Sequence, residues 1–533
     1  MAGPKGFDMR LWEKINQWAE KTPSKPALGN MTYKDLRDAV SRCFGALPLV
    51  KGKRVGLFMD NSPLWAIYDI AVTLKGGTVV PVPGFFSVAQ AGHVVSDAAL
   101  DYIVIHRNGE GVKFRDFVNP CAVIHADRSL ESNGEAPVSK VEALVSPFDT
   151  VKIIYTSGTT GKPKGVKISL RSVEAVVESL IERTNADCED RHLSLLPLST
   201  LIEAIAGLYA PLWVGGSVYY PARSGALCAN ISQETLSEAA PTTLNLVPVL
   251  LERLLDVFEK TGVPDSLRFV ACGGAVLSRS LIERALSAGV PLYQGYGLSE
   301  CATVVSLNCA EGNRRGSVGR PLKHVKVAIS DDREIIVEGE FLMEGYLHGK
   351  AGVRSWKTGD TGYFDEDGFL YVTGRKDNVF STSFGRNVEA EWVESELLSI
   401  KAVRQAVVFG EGKPYVSALI VPEEKWLAET AKRFSVEGNR DILAKDPVIT
   451  GAFEAEIKEA MSHLPDYAAV KRFALVASPF SADNGLASRD GRLKRKEILS
   501  EFSGLLKDLY DLPEGNETRE INDAKGDVYA QDC

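Results

Sequence analysis

The sequence predicts an α/β protein with a large N-terminal domain and a small α+β C-terminal domain. Its 533 residues are too many for one ordinary hydrophobic core, so two domains of unequal size are the first expectation. Early in the chain, the strand-like runs Val55–Met59 and Thr78–Pro83 flank a helix-length apolar segment that begins at Ser62. Alternation of this kind favours a parallel sheet. From about residue 378 onward the pattern changes to short strands and helices.

Further elements are predicted from capping residues, apolar runs and glycines. A capped helix begins at Thr32, and two helices are expected around residues 423–434 and 451–463. The acidic tail Asp511–Cys533 is expected to be partly disordered. The predicted strands of the later chain are Phe269–Leu277, Val325–Ile329, Glu334–Val337, Val403–Phe409 and Tyr415–Val421.

Composition and charge narrow the class of protein. A formal net charge of -9 argues against nucleic acid as the main partner. The first twenty residues contain no apolar core of a signal peptide, and no run of roughly 18 apolar residues predicts a transmembrane helix. The 8 cysteines are scattered without a Cys-x-x-Cys pair, which is typical of reduced cytoplasmic thiols. The sequence therefore predicts a cytoplasmic enzyme without a membrane span and leaves its oligomeric state open.

The stretch Ile153–Gly165 combines a strand-like lead with a loop of glycines, hydroxyls and lysines. Glycines let successive backbone N–H groups turn toward one point, while hydroxyl and ammonium groups add donors and charge, so such a loop can hold phosphate. Its spacing differs from that of P-loop NTPases, and no Ser or Thr follows Lys162. The predicted phosphate-binding residues are Thr156, Ser157, Gly158, Thr159, Thr160, Gly161, Lys162 and Lys164.

The segment Tyr155–Gly165 resembles the signature loop of the adenylate-forming superfamily, which includes acyl-CoA synthetases, luciferases and nonribosomal adenylation domains. The resemblance implies an N-terminal domain of stacked α/β subdomains plus a β subdomain over residues 1–376. It further implies a small mobile C-terminal domain over residues 377–510, with 511–533 as a polar tail. Within the loop, the resemblance gives Thr159 a part in catalysis and in binding Mg²⁺.

Two further motifs are expected to contact the nucleotide. In Tyr293–Glu300, glycines flank Tyr296, whose ring can stack on a base, and Glu300 offers a hard oxygen. The resemblance makes Glu300 the Mg²⁺-binding and catalytic glutamate, and it places the glycines after the strand at Phe269 beside adenine. The residues assigned to the nucleotide here are Gly273, Gly274, Ala275, Gln294, Gly295, Tyr296, Gly297 and Ser299.

Charged residues near the predicted domain boundary are assigned by the same resemblance. Asp360 corresponds to an aspartate that accepts hydrogen bonds from the ribose hydroxyls, and Arg375 to an arginine that contacts nucleotide. Asp377 matches the hinge about which the small domain swings. Arg386 is a second arginine expected on the phosphate side.

The sequence departs from the family pattern at two positions. Where relatives carry a catalytic lysine near the C-terminus, this chain has Arg492, and where relatives carry Leu-Pro-Leu-Ser-His, Thr200 replaces the histidine. Arginine keeps the positive charge but presents a planar fork instead of a compact ammonium group. We expect Arg492 to act as the catalytic cation, while a solvated helix start is the alternative for this basic run.

The resemblance implies an ATP-dependent carboxylate–CoA ligase that uses Mg²⁺ and CoA and forms an acyl-AMP intermediate. Three blocks resemble fatty acyl-CoA ligases, namely Phe85–Gln90 with His93, Leu196–Ser199 and Glu391–Glu394, so an apolar, fatty acid is the favoured substrate. An aryl acid stays open. The sequence is also compatible with an acyl-AMP ligase that serves a separate acyl carrier protein, and with a catalytically weak nucleotide-binding regulatory homologue.

Overall fold

The structure, a computed structural model, describes residues 9–105, 121–131, 141–156, 163–221, 231–275, 277–349, 352–461, 464–488, 491 and 493–511. Its contacts divide the chain into two compact units. The larger, N-terminal unit consists of Met1–Ala275, Arg284–Thr358 and Gly362–Val372. The smaller, C-terminal unit consists of Val276–Glu283, Gly359–Thr361 and Thr373–Cys533.

Strands are labelled here in chain order. They are β1 (Pro26–Leu28), β2 (Met31–Thr32), β3 (Arg54–Phe58), β4 (Thr78–Pro81), β5 (Tyr102–Ile105), β6 (Ala122–His125), β7 (Thr150–Thr156), β8 (Lys164–Ser169), β9 (Arg191–Leu193), β10 (Ser217–Tyr219), β11 (Thr243–Leu246), β12 (Phe269–Cys272), β13 (Leu292–Leu298), β14 (Thr303–Leu307), β15 (Arg320–Pro321), β16 (Lys326–Ile329), β17 (Glu334–Glu338), β18 (Gly345–Tyr346), β19 (Ser355–Phe364), β20 (Leu370–Arg375), β21 (Val379–Ser381), β22 (Asn387–Glu389), β23 (Val403–Phe409), β24 (Val416–Pro422) and β25 (Val470–Leu475).

Helices are named by their bounds. The α-helices are Arg10–Lys21, Tyr33–Ala46, Pro63–Leu74, Val88–Asp97, Leu170–Thr184, Ala210–Val214, Gln233–Ala239, Pro248–Thr261, Arg279–Ser287, Ala390–Leu397, Glu424–Phe434, Arg440–Lys445, Pro447–Ala460, Arg495–Glu501 and Ser503–Asp511. Short 3₁₀ helices cover Arg128–Glu131, Ser299–Cys301 and Lys376–Asn378, and a π-helix covers Glu203–Tyr209. Among the described residues, no helix combines the length and the apolar composition that crossing a bilayer requires.

Two large sheets form the frame of the N-terminal unit. One has the strand order β15-β14-β13-β12-β11-β9-β10-β1-β2, and the other has the order β18-β8-β7-β4-β3-β5-β6. Strand β3 pairs in parallel with β4 and β5, and β12 pairs in parallel with β11 and β13. The parallel pairing predicted from the alternating pattern is therefore confirmed. A smaller sheet with the order β16-β17-β19-β20 contains the strands predicted at Val325 and Glu334.

Capping side chains fix several helix starts. Thr32 accepts a hydrogen bond from the backbone N–H of Asp35, whose side chain bonds back, so the predicted cap is a complete capping box. Ser62 caps the helix Pro63–Leu74, which has proline at its first position. Ser87 and Gln90 form a second capping box at the helix Val88–Asp97. This local role explains part of the block that resembled fatty acyl-CoA ligases.

A buried ion pair crosses the core between β7 and the helix Pro63–Leu74. Lys152 and Asp69 pair with both side chains 0% exposed. The Tyr209 hydroxyl donates to the second Asp69 oxygen over 2.6 Å, and the Lys152 ammonium lies 5.8 Å from the Trp65 ring and 5.0 Å from the Tyr209 ring. Burial raises the pKa of Tyr209 above its ordinary range. The aspartate is thus surrounded by donors and a charge of opposite sign.

Replacing Lys152 by methionine should destabilise the N-terminal unit by about 3–5 kcal/mol, because Asp69 would stay buried without its counter-ion. Urea unfolding followed by tryptophan fluorescence measures the change. The matched control is Lys53→Met at the exposed pair Lys53–Asp101, whose Nζ and Oδ1 lie 2.9 Å apart. The prediction would be contradicted if Lys152→Met shifted the urea midpoint of unfolding no more than Lys53→Met does.

The C-terminal unit has its own sheet and core. Strands β23, β24 and β25 form a three-stranded sheet, and β21 and β22 form a hairpin. Apolar side chains of this sheet pack against the helices Ala390–Leu397 and Pro447–Ala460, with Phe453 fully buried. The last of these helices begins four residues before the predicted start at 451, because Asp446 caps it and Pro447 occupies its first position.

Candidate active site

The predicted phosphate-binding loop lies between the ends of two antiparallel strands. Thr156, the last residue of β7, pairs with Lys164, the first residue of β8. Residues Ser157, Gly158, Thr159, Thr160, Gly161 and Lys162 lie outside the described residues. At the exit of the loop, the Pro163 carbonyl lies 3.0 Å from His93 Nε2. The strands therefore fix both ends of the predicted loop.

A chain of contacts joins the start of β8 to Glu300. The Lys164 ammonium lies 5.6 Å from the centre of the Tyr346 ring, within the range of a cation–π contact. The Tyr346 hydroxyl donates to Glu300 Oε1 over 2.8 Å. Burial and the neighbouring Glu300 carboxylate both raise the pKa of Tyr346, so the hydroxyl keeps its proton. The structure thus brings two predicted site residues together through a tyrosine that the sequence analysis missed.

Tyr346 is held in place by its strand. In β18, Tyr346 pairs with Val166 and Gly345 pairs with Lys167 of β8. Its ring meets that of Trp356 edge-on, with centroids 5.9 Å apart. In the sequence, Gly345-Tyr346 stands between β17 and β19, the strand that contains Trp356, but only strand pairing shows where the Tyr346 ring lies.

A strained turn carries Glu300. The 3₁₀ helix Ser299–Cys301 ends in Ala302 with φ 55°, and Thr303 follows with φ 96°. A positive φ is costly for residues with a side chain, about 1–3 kcal/mol each, and above all for a β-branched one. The Met343 N–H donates to the Glu300 carbonyl over 2.9 Å and helps to hold the turn. The Glu300 backbone is therefore held in a defined position.

Gly297 of β13 makes room for this turn, and Gly273, directly after β12, permits a second close approach of the backbone. A Cβ at Gly297 would lie 1.6 Å from the Thr303 carbonyl oxygen, and a Cβ at Gly273 would lie 2.7 Å from the Gly295 carbonyl oxygen. These two glycines thus permit close backbone packing. The sequence analysis had given the glycines beside Tyr296 a different role, which is to leave its ring accessible to a base. Tyr296 itself is half-buried.

Two neighbouring parallel strands bring the predicted adenine-side residues together. Cys272 pairs with Gln294, so Gly273, directly after β12, lies beside Gly295 of β13. Gly274 has φ 80°, a conformation that favours glycine, and Ala275 after it is exposed. The chain therefore bends directly after Gly273, and the adenine-side assignment of Gly273, Gly274 and Ala275 stays a prediction.

Glu300 fits the ligand set that Mg²⁺ prefers in nucleotide enzymes. Mg²⁺ usually keeps several waters and takes one or two protein carboxylates together with substrate phosphates. The described residues contain no group of three or more His, Cys, Asp or Glu side chains arranged to hold a metal ion. The half-buried Glu300 carboxylate could be one such ligand. The Tyr346 hydroxyl orients it, and its remaining lone pairs are available to the ion.

In the C-terminal unit, Asp360 and Arg375 form an ion pair. Arg375 Nη1 lies 2.7 Å from Asp360 Oδ1, and the Asp360 side chain is 9% exposed. Asp377 is exposed within the 3₁₀ helix Lys376–Asn378. Arg386 is exposed at the turn between β21 and β22, where its carbonyl accepts from the Thr382 N–H. Arg492 lies outside the described residues, whereas its neighbours Gly491 and Leu493 are described.

Comparison with known families decides which group of proteins this is. The family model described as AMP-binding enzyme matches residues 15–347, and the one described as AMP-binding enzyme C-terminal domain matches residues 377–514. The chain belongs to the AMP-binding enzyme family. The family resemblance and the fold class predicted from the sequence are thereby confirmed.

Relatives of this AMP-binding enzyme differ in the acid that their names give. It is 25% identical to the long-chain-fatty-acid–CoA ligase FadD15 of Mycobacterium bovis, over 87% of this chain and 89% of the relative. It is 29% identical to the 2-succinylbenzoate–CoA ligase of Bacillus pumilus, over 73% of this chain and 82% of the relative. The solved o-succinylbenzoate CoA synthetase of Bacillus subtilis, in complex with ATP and magnesium ion, is 24% identical and has a TM-score of 0.74, covering 91% and 98% of the two chains.

Proposed function

We propose that this protein is an AMP-forming carboxylate–CoA ligase that activates an apolar acid as its acyl-adenylate. The observation that carries the proposal is the contact chain Lys164–Tyr346–Glu300, which ties a phosphate-loop cation to a carboxylate suited to Mg²⁺. The family match over both parts of the chain supports it.

In the first half-reaction, an oxygen of the substrate carboxylate attacks the α-phosphorus of ATP. A new C–O–P anhydride forms, the bond from the α-phosphorus to the bridging oxygen breaks, and pyrophosphate leaves. Lys164 and the loop N–H groups bind phosphate oxygens, and Glu300 would hold Mg²⁺, which neutralises phosphate charge when bound. We assign Arg492 to the charge that develops on the transferring phosphoryl group.

In the second half-reaction, the thiolate of CoA attacks the acyl carbon of the adenylate. A C–S bond forms, the C–O bond to phosphate breaks, and AMP leaves. The proposed hinge at Asp377 would withdraw Arg492 between the two steps. Asp360 would accept hydrogen bonds from the ribose hydroxyls. Its ion-pair partner Arg375 would donate hydrogen bonds to the nucleotide.

For the acid, we favour a fatty chain over an aryl ring. Support comes from the sequence blocks at Phe85 and Leu196 and from the long-chain-fatty-acid ligase among the relatives. Because 2-succinylbenzoate ligases are also among the relatives, aryl acids are tested beside straight-chain acids.

An acid panel tests the proposal through ATP-dependent release of pyrophosphate. Straight-chain acids of increasing length, benzoate, 2-succinylbenzoate and anthranilate are compared, and products are weighed by mass spectrometry after CoA is added. Release with straight-chain acids and a CoA thioester are the expected results. ATP binding without release for any acid would instead favour a regulatory nucleotide-binding role, and release without thioester would favour a carrier-protein acceptor.

Replacing Tyr346 by phenylalanine should raise the Mg²⁺ concentration needed for half-maximal pyrophosphate release by about tenfold, because Glu300 loses the donor that orients it. A Mg²⁺ titration at fixed ATP measures this shift. Tyr219→Phe is the matched control, since the Tyr219 hydroxyl donates to Glu238 over 2.7 Å at an exposed position. Equal Mg²⁺ requirements for both variants would show that Tyr346 does not act through Glu300.

A further inference from the structure

A groove with a volume of about 420 Å³ lies beside the helix Arg10–Lys21 of the N-terminal unit. We call it the Trp18 groove. Pockets for small molecules have volumes of about 300–1,000 Å³ and mostly apolar and aromatic walls with a few polar groups. The groove has this size and this kind of wall, because its lining includes two tryptophans, two lysines, an aspartate and a cysteine, namely Trp18, Trp213, Lys14, Lys21, Asp187 and Cys188.

The Trp18 groove lies at the opposite strand ends from the predicted nucleotide residues. Cys188 comes shortly before β9 and Trp213 shortly before β10, so the groove is at the amino ends of these strands. Strand β9 pairs in parallel with β10 and β11, and β11 pairs in parallel with β12. The predicted adenine-side residues Gly273 and Gly274 follow the carboxyl end of β12. The groove is therefore separate from the predicted nucleotide site.

The apolar floor of the groove is held in place by close contacts. A Cβ at Gly215 would lie 2.4 Å from Trp18 Cε2, so glycine is what lets the ring lie this close to the backbone. Gly215 also has φ 85°, a conformation that favours glycine. The Trp18 indole N–H donates to the Trp213 carbonyl over 3.3 Å, and Trp213 is 8% exposed. The two tryptophans thus form a fixed apolar surface inside the groove.

The helix side of the groove carries positive charge. Lys14, Trp18 and Lys21 are four and three residues apart, so they share one face of their helix. The Lys21 ammonium lies 5.9 Å from the centre of the Trp18 ring, within the range of a cation–π contact. In the part of the chain that the structure describes, neither lysine forms an ion pair with an acidic side chain. Two ammonium groups therefore flank an apolar surface without an anionic partner.

The acidic residues across the groove do not cancel this charge. Asp187 Oδ1 accepts from the Glu189 backbone N–H over 2.8 Å and so holds the turn before β9. The Glu189 carboxylate lies 3.6 Å from the Lys25 ammonium, which neutralises it. The lining itself has two lysines and one aspartate, which leaves a net charge of one positive unit. The groove is thus complementary to a ligand with an apolar body and a negative charge.

We propose that the Trp18 groove is a second binding site, which takes an amphiphilic anion made of an apolar chain that ends in a carboxylate. The chain covers the two tryptophans and removes their apolar surface from water. The carboxylate meets the ammonium groups of Lys14 and Lys21, which favour an anion over a neutral head group. The inference goes beyond the proposed function, because the groove takes no part in the activation of the acid.

Alkylation of Cys188 reports whether the groove is occupied, because this half-buried thiol is part of its lining. Labelling by iodoacetamide is followed by mass spectrometry of the peptide that contains Cys188, with dodecanoate below its micelle concentration and without ATP. At ten times the Kd, dodecanoate should slow labelling about tenfold, since about a tenth of the protein then keeps an open groove. Dodecanol, which lacks the charge, and acetate, which lacks the chain, should slow labelling less than about twofold at the same concentration.

A double variant tests the part played by the lysines. Lys14→Gln with Lys21→Gln should raise the dodecanoate concentration for half-protection about tenfold, because two ionic contacts at a partly exposed site are lost. Lys425→Gln with Lys432→Gln is the matched control, because it removes two charges at the same spacing from the helix Glu424–Phe434. This control should protect Cys188 as the wild type does.

Three results would overturn the proposal. They are no protection by dodecanoate, equal protection by dodecanol, and equal half-protection concentrations for the two double variants. If the wild type releases pyrophosphate with dodecanoate, Lys14→Gln with Lys21→Gln should leave the acid concentration for half-maximal release unchanged; a parallel rise would show that the groove belongs to the substrate path and would also overturn the proposal. Absence of pyrophosphate release with every acid would count against the proposed function alone, since the labelling needs no turnover.

Discussion

Replacing Arg492 by alanine should slow the adenylation half-reaction by about 10²- to 10³-fold, because it removes the cation that we propose stabilises the transferring phosphoryl group. Thioester formation from supplied acyl-adenylate should change little, since the arginine is proposed to act in the first step alone. Pyrophosphate release and single-turnover conversion of acyl-adenylate measure the two steps separately.

Two further variants sharpen this result. Arg489→Ala removes an equal charge from the same stretch of chain and serves as the matched control. Arg492→Lys introduces the residue that relatives carry, and it should retain most of the adenylation rate if charge matters more than fork geometry. Equal losses in both half-reactions for Arg492→Ala would contradict the assignment.

Glu300→Gln should lower the adenylation rate by about 10²-fold at saturating ATP. Glutamine keeps the size of the side chain and can still accept from the Tyr346 hydroxyl, so the substitution isolates the carboxylate charge that Mg²⁺ requires. Steady-state pyrophosphate release over a range of Mg²⁺ concentrations measures both the rate and the metal requirement.

Glu344→Gln is a suitable control for Glu300→Gln, because Glu344 also carries a partly exposed carboxylate in the N-terminal unit and pairs with Arg171 over 3.1 Å. This control should keep the wild-type Mg²⁺ dependence. A Glu300→Gln enzyme with wild-type rate and metal requirement would mean that another carboxylate binds the ion.

Much of the fold follows from short-range signals in the sequence. The capped start at Thr32, the apolar segment from Ser62 and the apolar run at Val55 each predict an element within a residue or two of its observed start. The π-helix Glu203–Tyr209 could not be predicted in this way. The Glu203 carboxylate bonds to His192 and Asn245 from distant strands, and a Cβ at Gly207 would lie 2.6 Å from that carboxyl group, so tertiary contacts shape this turn.

The site shows the same division. Glu300 and Lys164 were found because their motifs are contiguous in sequence, whereas Tyr346 is 46 residues from its partner. Strand pairing between β18 and β8 brings them together, and no local pattern encodes that pairing. Likewise, the sequence singled out Glu391 and Glu394 as part of a motif, but their separate contacts with Arg375 and Arg495 became visible only in three dimensions.

The close approach of Thr303 to Gly297 limits how this enzyme could be re-engineered. Any side chain at 297 would push the Thr303 carbonyl, and with it the turn that presents Glu300. Libraries that test the proposed contact between Ala275 and the base should therefore keep position 297 as glycine, since a side chain there would displace the turn that carries Glu300.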